Sequence, residues 1–234
     1  MTMIRKLQQE IGYRFHDPEI LLCALTHSSY INEHPELRKE DCNERLEFLG
    51  DAVLEMISSD FLYREYGNSM EGELSRMRVT LVCEMALADI ARTIGLGECL
   101  RMGKGMEKSG GRDSDAVISD ALEALIAALY LDGGLPEAWK FVTERVLSDN
   151  ENRRLFYDAK TILQEMVQEK GRSVHYRDLP GTGPEHDRVF RSVVLIGEEV
   201  LAEGTGHSKK KAEQNAAFAA ISAIRKQENV SEKH

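Results

Sequence analysis

Apolar residues recur at helical spacing through most of the first 147 positions. This periodicity predicts helices near 4–10, 18–28, 43–65, 71–94, 115–131 and 135–147. Glycine and proline separate several of them, as they do at the Gly133-Gly134 pair that precedes Pro136. Extended runs that alternate between apolar and polar residues are lacking in this part of the sequence. The first part of the chain is therefore predicted to be an all-α domain.

The pattern changes after a short polar stretch, SDNENRR, at 148–154. The sequence then predicts an amphipathic helix at 159–171, strands at 174–181, 186–197 and 198–206, and a helix at 208–227. Ser208 is a candidate N-cap of that last helix. An order of α-β-β-β-α predicts a second, compact α+β domain. We expect the following boundaries: first domain 1–147, linker 148–156, second domain 157–228 and tail 229–234.

Charge is distributed unevenly between the two domains. The 234 residues carry a formal net charge of −10, yet residues 155–234 hold 12 basic and 12 acidic side chains, against 18 and 28 in residues 1–154. Exposed charges are screened beyond about 8 Å at physiological salt. A local basic patch in the second domain can therefore bind phosphate despite the overall charge.

Neither a membrane nor an oxidising compartment is indicated. Apolar runs are too short to cross a membrane, and the N-terminus has no apolar signal core, so we expect a cytoplasmic protein with no membrane partner. No Cys-x-x-Cys pair occurs, which favours reduced, mostly buried thiols over zinc or disulfides. His16, His27 and His34 have no partners at ligand spacing and are interpreted as capping or surface residues. The cysteines are Cys23, Cys42, Cys83 and Cys99.

Acidic residues occur in a helix that is otherwise expected to be buried, NERLEFLGDAVLEMI at 43–57. Glu44, Glu47 and Asp51 are spaced i, i+3 and i+7, which places them within roughly one-sixth of a turn of one another. Like charges at helical spacing repel, by about 0.2–0.5 kcal/mol per pair. The rest of the helix is expected to pack through Leu46, Phe48, Leu49, Val53, Leu54 and Ile57.

A second acidic pair, Asp120 and Glu123, lies in the apolar segment AVISDALEALIAALYLDGG at 116–134. Taken alone, such a pair is typical of the solvent edge of a helix. If the two acidic stripes face each other, their burial as isolated charges would be prohibitive. A divalent cation such as Mg²⁺, which prefers oxygen ligands and keeps several waters, would offset the repulsion. Such a site predicts hydrolysis at phosphorus.

Two further segments carry candidate phosphate contacts. The segment GTGHSKKKAEQNAA at 204–217 places Lys209, Lys210 and Lys211 in the first turn of a helix, where they oppose the helix dipole unless an anion is bound. A phosphate backbone is such an anion, whereas a solvated lysine run is less typical of a helix N-terminus. For the glycine-rich segment GKGMEKSGGRDSD at 103–115, an approach to phosphate and a mobile loop remain equally open.

The stretch NERLEFLGDAVL at 43–54 resembles the signature of bacterial ribonuclease III, an endonuclease of double-stranded RNA. The similarity covers nearly the whole chain, and its motifs occur in order. They are THSSY (26–30), EGELSRMRVTLV (71–82), GKGMEKSGGR (103–112), SDALEALIAALYLDGG (119–134), KTILQEMVQEKG (160–171) and GTGHSKKKAEQNAA (204–217). Ser119, Leu122 and Ala127 depart from residues frequent in the family, at positions where we expect packing roles.

The resemblance implies a Mg²⁺-dependent endonuclease, with Mn²⁺ as a substitute, followed by a double-stranded-RNA-binding domain. Glu47, Asp51, Asp120 and Glu123 match the family's metal-binding and catalytic carboxylates, and Glu123 is the one most directly tied to catalysis. The implied RNA contacts are Glu44 and Glu71 in the cleft, and Gln164, Glu165, His186, Ser208, Lys209, Lys210 and Lys211 in the second domain.

The resemblance also implies a homodimer with the signature helix at its interface. Each subunit would cut one strand, leaving 5′-phosphate and 3′-hydroxyl ends with two-nucleotide 3′ overhangs. The implied substrates are structured precursors of ribosomal RNA and some messenger RNAs.

The sequence leaves two other functions to compare with this one. A protein could bind and shelter duplex RNA without cutting it, but such a protein would be expected to have lost at least one of the four carboxylates. Alternatively, the signature helix could serve only as a dimer interface, and the acidic residues could serve only to keep the surface soluble. That reading does not explain why two apolar helices both carry carboxylates, so the sequence favours the endonuclease.

Overall fold

The computed structural model describes residues 3–148, 155–169, 171–183 and 188–231. The chain divides into two compact units, Met1–Ser148 and Asp149–His234. None of the helices in the described ranges is long and apolar enough to cross a membrane.

The regular elements in the described part of the first unit are helices, with one isolated bridge between Thr26 and Arg101, which confirms the predicted all-α class. Short 3₁₀ turns lie at Lys39–Asp41 and Gly111–Asp113, and a π-helical turn, Val142–Val146, follows the last α-helix. The helices are α1 (Met3–Glu10), α2 (Pro18–Ala24), α3 (Ser28–Glu33), α4 (Glu44–Glu65), α5 (Glu71–Leu81), α6 (Glu84–Thr93), α7 (Leu96–Cys99), α8 (Lys104–Lys108), α9 (Asp115–Gly133) and α10 (Leu135–Phe141).

Helix α9 forms the centre of this unit. Helices α2, α4, α6 and α10 all pack against it, and it is buried around most of its circumference, as expected of a helix that is apolar on nearly every side. Ser119, Leu122 and Ala127 are all buried, which confirms their packing roles. The Ser119 hydroxyl is satisfied by donating to the Ala116 carbonyl oxygen at 3.0 Å.

Gly50 allows α4 to approach α9 closely. A Cβ atom at this position would lie 1.9 Å from the backbone carbonyl oxygen of Glu123, so a larger residue would force the two helices apart. The face of α4 that meets the core contains the buried Val53, Leu54 and Ile57 and the partly buried Leu46 and Leu49.

Phe48 was also expected in that face, and this prediction is wrong. Its side chain is 82% exposed. Met56 and Tyr63 are 44% and 73% exposed, and with the exposed Ala52 they continue a single stripe at helical spacing along α4. We call these four residues the α4 apolar stripe. Helical periodicity identifies apolar residues but does not distinguish a face that meets the core from one that meets solvent.

Two predicted helices end earlier than their periodicity indicates. The helix predicted at 71–94 is divided in two, because the backbone is extended at Cys83 (φ −69°, ψ 155°), although neither glycine nor proline marks the break. The helix predicted at 18–28 ends at Ala24. His27 then caps α3 by accepting a backbone N–H at 3.1 Å, which confirms its expected capping role.

Asp132, near the end of α9, fixes the segment that joins α1 to α2. Its side chain is 3% exposed. It accepts the backbone N–H groups of His16 and Asp17 and the hydroxyl of Tyr13, each at 2.8 Å. Burial alone would raise the pKa of Asp132, but these hydrogen bonds hold it at about 2. The His16 side chain is itself 79% exposed, as expected for a surface residue.

The cysteines are all free thiols. Only Cys42 is buried, whereas Cys23, Cys83 and Cys99 are partly exposed, so the prediction of mostly buried thiols holds for one of the four. Burial raises the pKa of the Cys23 and Cys99 thiols, which makes them less reactive than ordinary surface thiols.

The second unit has the predicted order α-β-β-β-α. An antiparallel sheet in the order β1-β2-β3 supports two helices, and the core between them includes Leu163, Val194 and Ala216. A Cβ atom at Gly204 would lie 2.2 Å from a backbone nitrogen of the last helix, so this helix crosses the third strand closely. The elements are α11 (Ala159–Gln168), β1 (Val174–Thr182), β2 (Val189–Ile196), β3 (Glu199–Gly206) and α12 (Lys209–Ser231).

Candidate functional site

The carboxylates predicted on two separate helices lie on adjoining faces of the first unit. Glu47 and Asp51 project from α4 on either side of Gly50 in sequence, and Gly50 contacts the backbone of Glu123 on α9. Asp120 lies one turn before Glu123. Glu47, Asp120 and Glu123 are partly buried and Asp51 is exposed. We refer to these four carboxylates as the acidic cluster.

The protonation of Glu123 shows that the members of the cluster interact. Burial raises its pKa most, the negative charges of Asp51, Asp120 and Glu47 raise it further, and the result is a pKa of about 8. The pKa of Glu47 is also raised, by burial first and then by Asp120, Glu44 and Asp51. Glu123 is therefore largely protonated at neutral pH when no cation is bound.

Two further residues influence the cluster and were not identified from the sequence. Burial and the charge of Glu84 raise the pKa of Asp120, whereas His27 and a hydrogen bond from Ser119 lower it. Glu84 begins α6, and only the three-dimensional packing brings it near Asp120. His27 lies in the THSSY motif, which the sequence marked but did not connect with the acidic residues. Because Nδ1 of His27 accepts a backbone N–H, the proton of the neutral ring is assigned to Nε2.

The acidic cluster suits a hard divalent cation by its chemistry. All four donors are carboxylates, the ligand type preferred by Mg²⁺ and Mn²⁺. Among the residues that the structure describes, however, no three His, Cys, Asp or Glu side chains stand close enough together to form a ready-made metal cage. Mg²⁺ does not require one, because it binds through one or two carboxylates and retains several waters. The residues present therefore fit the ion without being preassembled around it.

Glu44 and Glu71, the RNA contacts expected in the cleft, occupy different positions. Glu44 is exposed, lies one turn before Glu47 and raises the pKa of that residue. Glu71 begins α5 and accepts a hydrogen bond from the Ser75 hydroxyl at 2.8 Å. The structure thus connects Glu44 electrostatically with the cluster.

The glycine-rich segment forms α8 and the 3₁₀ turn that follows it. Arg112 donates hydrogen bonds to the carbonyl oxygens of Gly97 and Leu100 at 3.0 and 2.8 Å and to the Glu107 carboxylate. Arg112 therefore connects the 3₁₀ turn with α7 and α8 inside the first unit. Lys104 and Lys108, the lysines of this segment, are exposed.

The second unit presents its lysines at the start of α12. Ser208 caps this helix, as predicted, because its hydroxyl oxygen accepts the backbone N–H of Lys211 at 3.2 Å. The three lysine side chains have different surroundings. Lys209 forms an ion pair with Asp178 at 2.6 Å, the Lys211 ammonium lies 5.0 Å from the centre of the Phe156 ring, and Lys210 is exposed.

The remaining expected RNA contacts are distributed as follows. Gln164 and Glu165 are exposed on α11. His186 lies outside the described residues. Asp178 was not identified from the sequence, where it is the one acidic residue of the segment that forms β1.

Comparison with known proteins gives the family. A family model described as Ribonuclease-III-like matches residues 17–150, and one described as a double-stranded RNA binding motif matches residues 159–224. This chain belongs to the ribonuclease III family. It is an endoribonuclease that acts on double-stranded RNA, with a nuclease unit followed by an RNA-binding unit.

Relatives match over most of the chain. Ribonuclease 3 of Desulforamulus reducens is 44% identical over 218 residues, which is 91% of this chain and 87% of the relative. Ribonuclease 3 of Caldanaerobacter subterraneus is 46% identical over 227 residues, which is 95% of this chain and 98% of the relative.

A solved structure supports the fold of the nuclease unit. The nuclease domain of ribonuclease III from Campylobacter jejuni is 38% identical and superposes with a TM-score of 0.57, covering 62% of this chain and 97% of that domain. That structure is described as flexible in a region involved in dimer formation.

Proposed function

We propose that this ribonuclease III family member hydrolyses double-stranded RNA with Mg²⁺, for which Mn²⁺ can substitute, held by Glu47, Asp51, Asp120 and Glu123. The observation that carries the proposal is the contact of Gly50 with the Glu123 backbone, because it brings carboxylates from two helices into one electrostatically coupled group. When bound, the cation would neutralise these charges, polarise the phosphodiester and acidify the attacking water.

Within this proposal, the protein's own residues prepare the site and control its protonation. Glu123 holds a proton at neutral pH because its pKa is about 8, and it must release that proton to become a ligand. Cation binding is therefore coupled to pH. The close seating of α4 against α9 keeps the carboxylates of the two helices on adjoining faces, and their side chains would turn toward the cation when it binds.

The active form is proposed to be a homodimer joined through the α4 apolar stripe. Phe48, Met56 and Tyr63 expose large apolar side chains on one face, and contiguous exposed apolar surface marks sites of protein association. A two-fold axis would present two acidic clusters to one duplex. Each cluster would cut one strand, giving 5′-phosphate and 3′-hydroxyl ends with two-nucleotide 3′ overhangs.

The RNA-binding unit is proposed to read the shape of the duplex. Lys209, Lys210 and Lys211 would contact phosphates, while α11 contributes minor-groove contacts through Gln164 and Glu165. Domains of this class contact about 16 base pairs, largely without sequence preference. We propose structured precursors of ribosomal and messenger RNA as substrates, and a cytoplasmic location, which suits the four free thiols.

A cleavage assay on a labelled RNA duplex tests the proposal and separates it from simple RNA binding. The intact chain should cut in Mg²⁺ or Mn²⁺ and stop in EDTA. Glu123→Ala should reduce cleavage at least a hundredfold while leaving duplex affinity nearly unchanged, because most of the proposed RNA contacts lie in the other unit. The exposed Glu144→Ala is the matched control. Cleavage by Glu123→Ala at more than about a hundredth of the normal rate, with its circular dichroism spectrum unchanged, would contradict the assignment.

A further inference from the structure

In the RNA-binding unit, the Asp178 carboxylate forms an ion pair with Lys209, a proposed phosphate contact. The Lys209 ammonium lies 2.6 Å from Oδ2 of Asp178, and the two side chains are 66% and 43% exposed. Both partners are therefore accessible to solvent, and a phosphate oxygen can reach the same ammonium from outside. The ion pair links the first turn of α12 to β1, an edge strand of the sheet.

The sheet places Asp178 below the start of α12. Asp178 pairs with Ser192 on β2, and Ser192 pairs with Gly204 on β3. This row of residues crosses the sheet to the point where α12 packs closely over Gly204. Ser192 has a small side chain and Gly204 has none, and Lys209 reaches Asp178 at the β1 end of this row. The contact follows from the strand register and is not confined to an exposed loop.

The neighbouring lysines of the run have different surroundings. Lys211 lies over the rings of Phe156 and Tyr157, at 5.0 and 5.7 Å from their centres, and an aromatic face leaves the positive charge of the ammonium intact. Lys210 is exposed. Asp178 therefore pairs with one particular lysine of the run, Lys209.

We propose that Asp178 is an internal competitor of the RNA backbone for Lys209. In the free protein the carboxylate holds the ammonium, and a phosphate must displace it before Lys209 contributes to binding. The inference rests on the proposed phosphate contact of Lys209. Its consequence is that Asp178 lowers the affinity for every duplex and so favours release of short products, which make few other contacts.

The size of the effect follows from the exposure of the pair. Solvent-exposed ion pairs stabilise by small amounts, which correspond to a factor of about two to five in an equilibrium constant. Removing the carboxylate while keeping its shape should release Lys209 for phosphate. We therefore expect Asp178→Asn to tighten duplex binding about two- to fivefold at physiological salt.

A double-mutant cycle on the full chain tests the proposal. Binding of a fluorescein-labelled perfect duplex of about 20 base pairs, long enough for one domain of this class, is measured by anisotropy in EDTA for the intact chain, Asp178→Asn, Lys209→Ala and the double variant. Glu203→Gln is the matched control, because Glu203 is also an exposed carboxylate in an ion pair of this unit, but its partner is Arg191 and not a lysine of α12. Circular dichroism checks that each variant folds.

The cycle distinguishes the possible outcomes. Competition predicts that Asp178→Asn tightens binding only while Lys209 is present, and that Glu203→Gln has a smaller effect. Unchanged or weaker binding by Asp178→Asn overturns the inference, since the carboxylate would then be neutral or would position Lys209. Equal tightening in the Lys209→Ala background also overturns it, because the effect would be general charge repulsion. If Lys209→Ala alone leaves the affinity unchanged, the proposed phosphate contact itself fails.

Discussion

Replacing Glu123 with glutamine should stabilise the cation-free protein, and only at high pH. The pKa of Glu123 in the folded chain is about 8, against an ordinary value of 4.5. This difference corresponds to at most about 5 kcal/mol, and partial exposure of the cluster to solvent reduces it to about 2–3 kcal/mol. Because folding raises the pKa of Glu123, ionisation of this residue destabilises the folded state. The stability of the folded chain is therefore fully present below about pH 4.5 and is partly lost as the pH rises through about 8. Glutamine cannot ionise and avoids this loss.

The single tryptophan makes the measurement specific to the nuclease unit. Trp139 packs against the core of that unit, and the sequence contains no other tryptophan. Urea unfolding followed by its fluorescence therefore reports the free energy of unfolding of this unit alone. We expect Glu123→Gln to match the intact chain at pH 4 and to exceed it by about 2–3 kcal/mol at pH 9 in EDTA. All chains are compared at one concentration, because dimer formation contributes to apparent stability.

Mg²⁺ provides a second readout of the same carboxylate. If the cation binds the ionised cluster, it should stabilise the intact chain more at pH 9 than at pH 5, and Glu123→Gln should lose most of that stabilisation. The exposed Glu144→Gln is the control and should show no change that depends on pH. The reasoning is refuted if Glu123→Gln is no more stable than the intact chain at pH 9, or if its advantage is the same at pH 4.

Three further substitutions test other parts of the structure. Gly50→Ala should destabilise the nuclease unit by about 1–3 kcal/mol, measured by urea unfolding, and reduce cleavage at least tenfold, measured with a labelled duplex. Normal values in both measurements would show that the close approach of α4 and α9 is dispensable. Phe48→Glu should lower the mass measured by light scattering toward the 26.4 kDa of one chain, and a dimer that persists would exclude the α4 apolar stripe as the interface. Asp132→Asn should destabilise by about 1–2 kcal/mol at pH 7, an effect that should disappear toward pH 2 because the folded pKa is lowered; equal losses at both pH values would contradict the role of its charge.

Local pattern was sufficient to predict the fold class and the faces that carry carboxylates. Helical spacing alone placed Glu47 and Asp51 on one stripe and Asp120 and Glu123 on another, because side-chain direction along a helix is set by the backbone. The spacing could not show that the stripes adjoin. That depends on Gly50, whose significance lies in the absence of a side chain opposite a backbone that is distant in sequence.

Errors in the prediction share one physical origin. The exposed Phe48 and the break at Cys83 both occur where apolar periodicity continues without interruption. Periodicity shows which residues are apolar, but it does not show whether a neighbouring helix, a second subunit or a turn removes their side chains from water. An apolar residue on a helix that also contacts a partner therefore reads as a core residue in the sequence of the single chain.

The lysine run shows the same limit for charged residues. In the sequence, Lys209, Lys210 and Lys211 are three equivalent charges in one helical turn. Successive side chains on a helix diverge by about 100°, so three adjacent lysines must face three different environments. One of them meets a carboxylate on β1, one meets aromatic rings and one meets solvent. A phosphate group must therefore displace a carboxylate to reach Lys209, whereas Lys211 lies over aromatic rings and Lys210 is exposed. Single substitutions along the run should for this reason weaken RNA binding unequally.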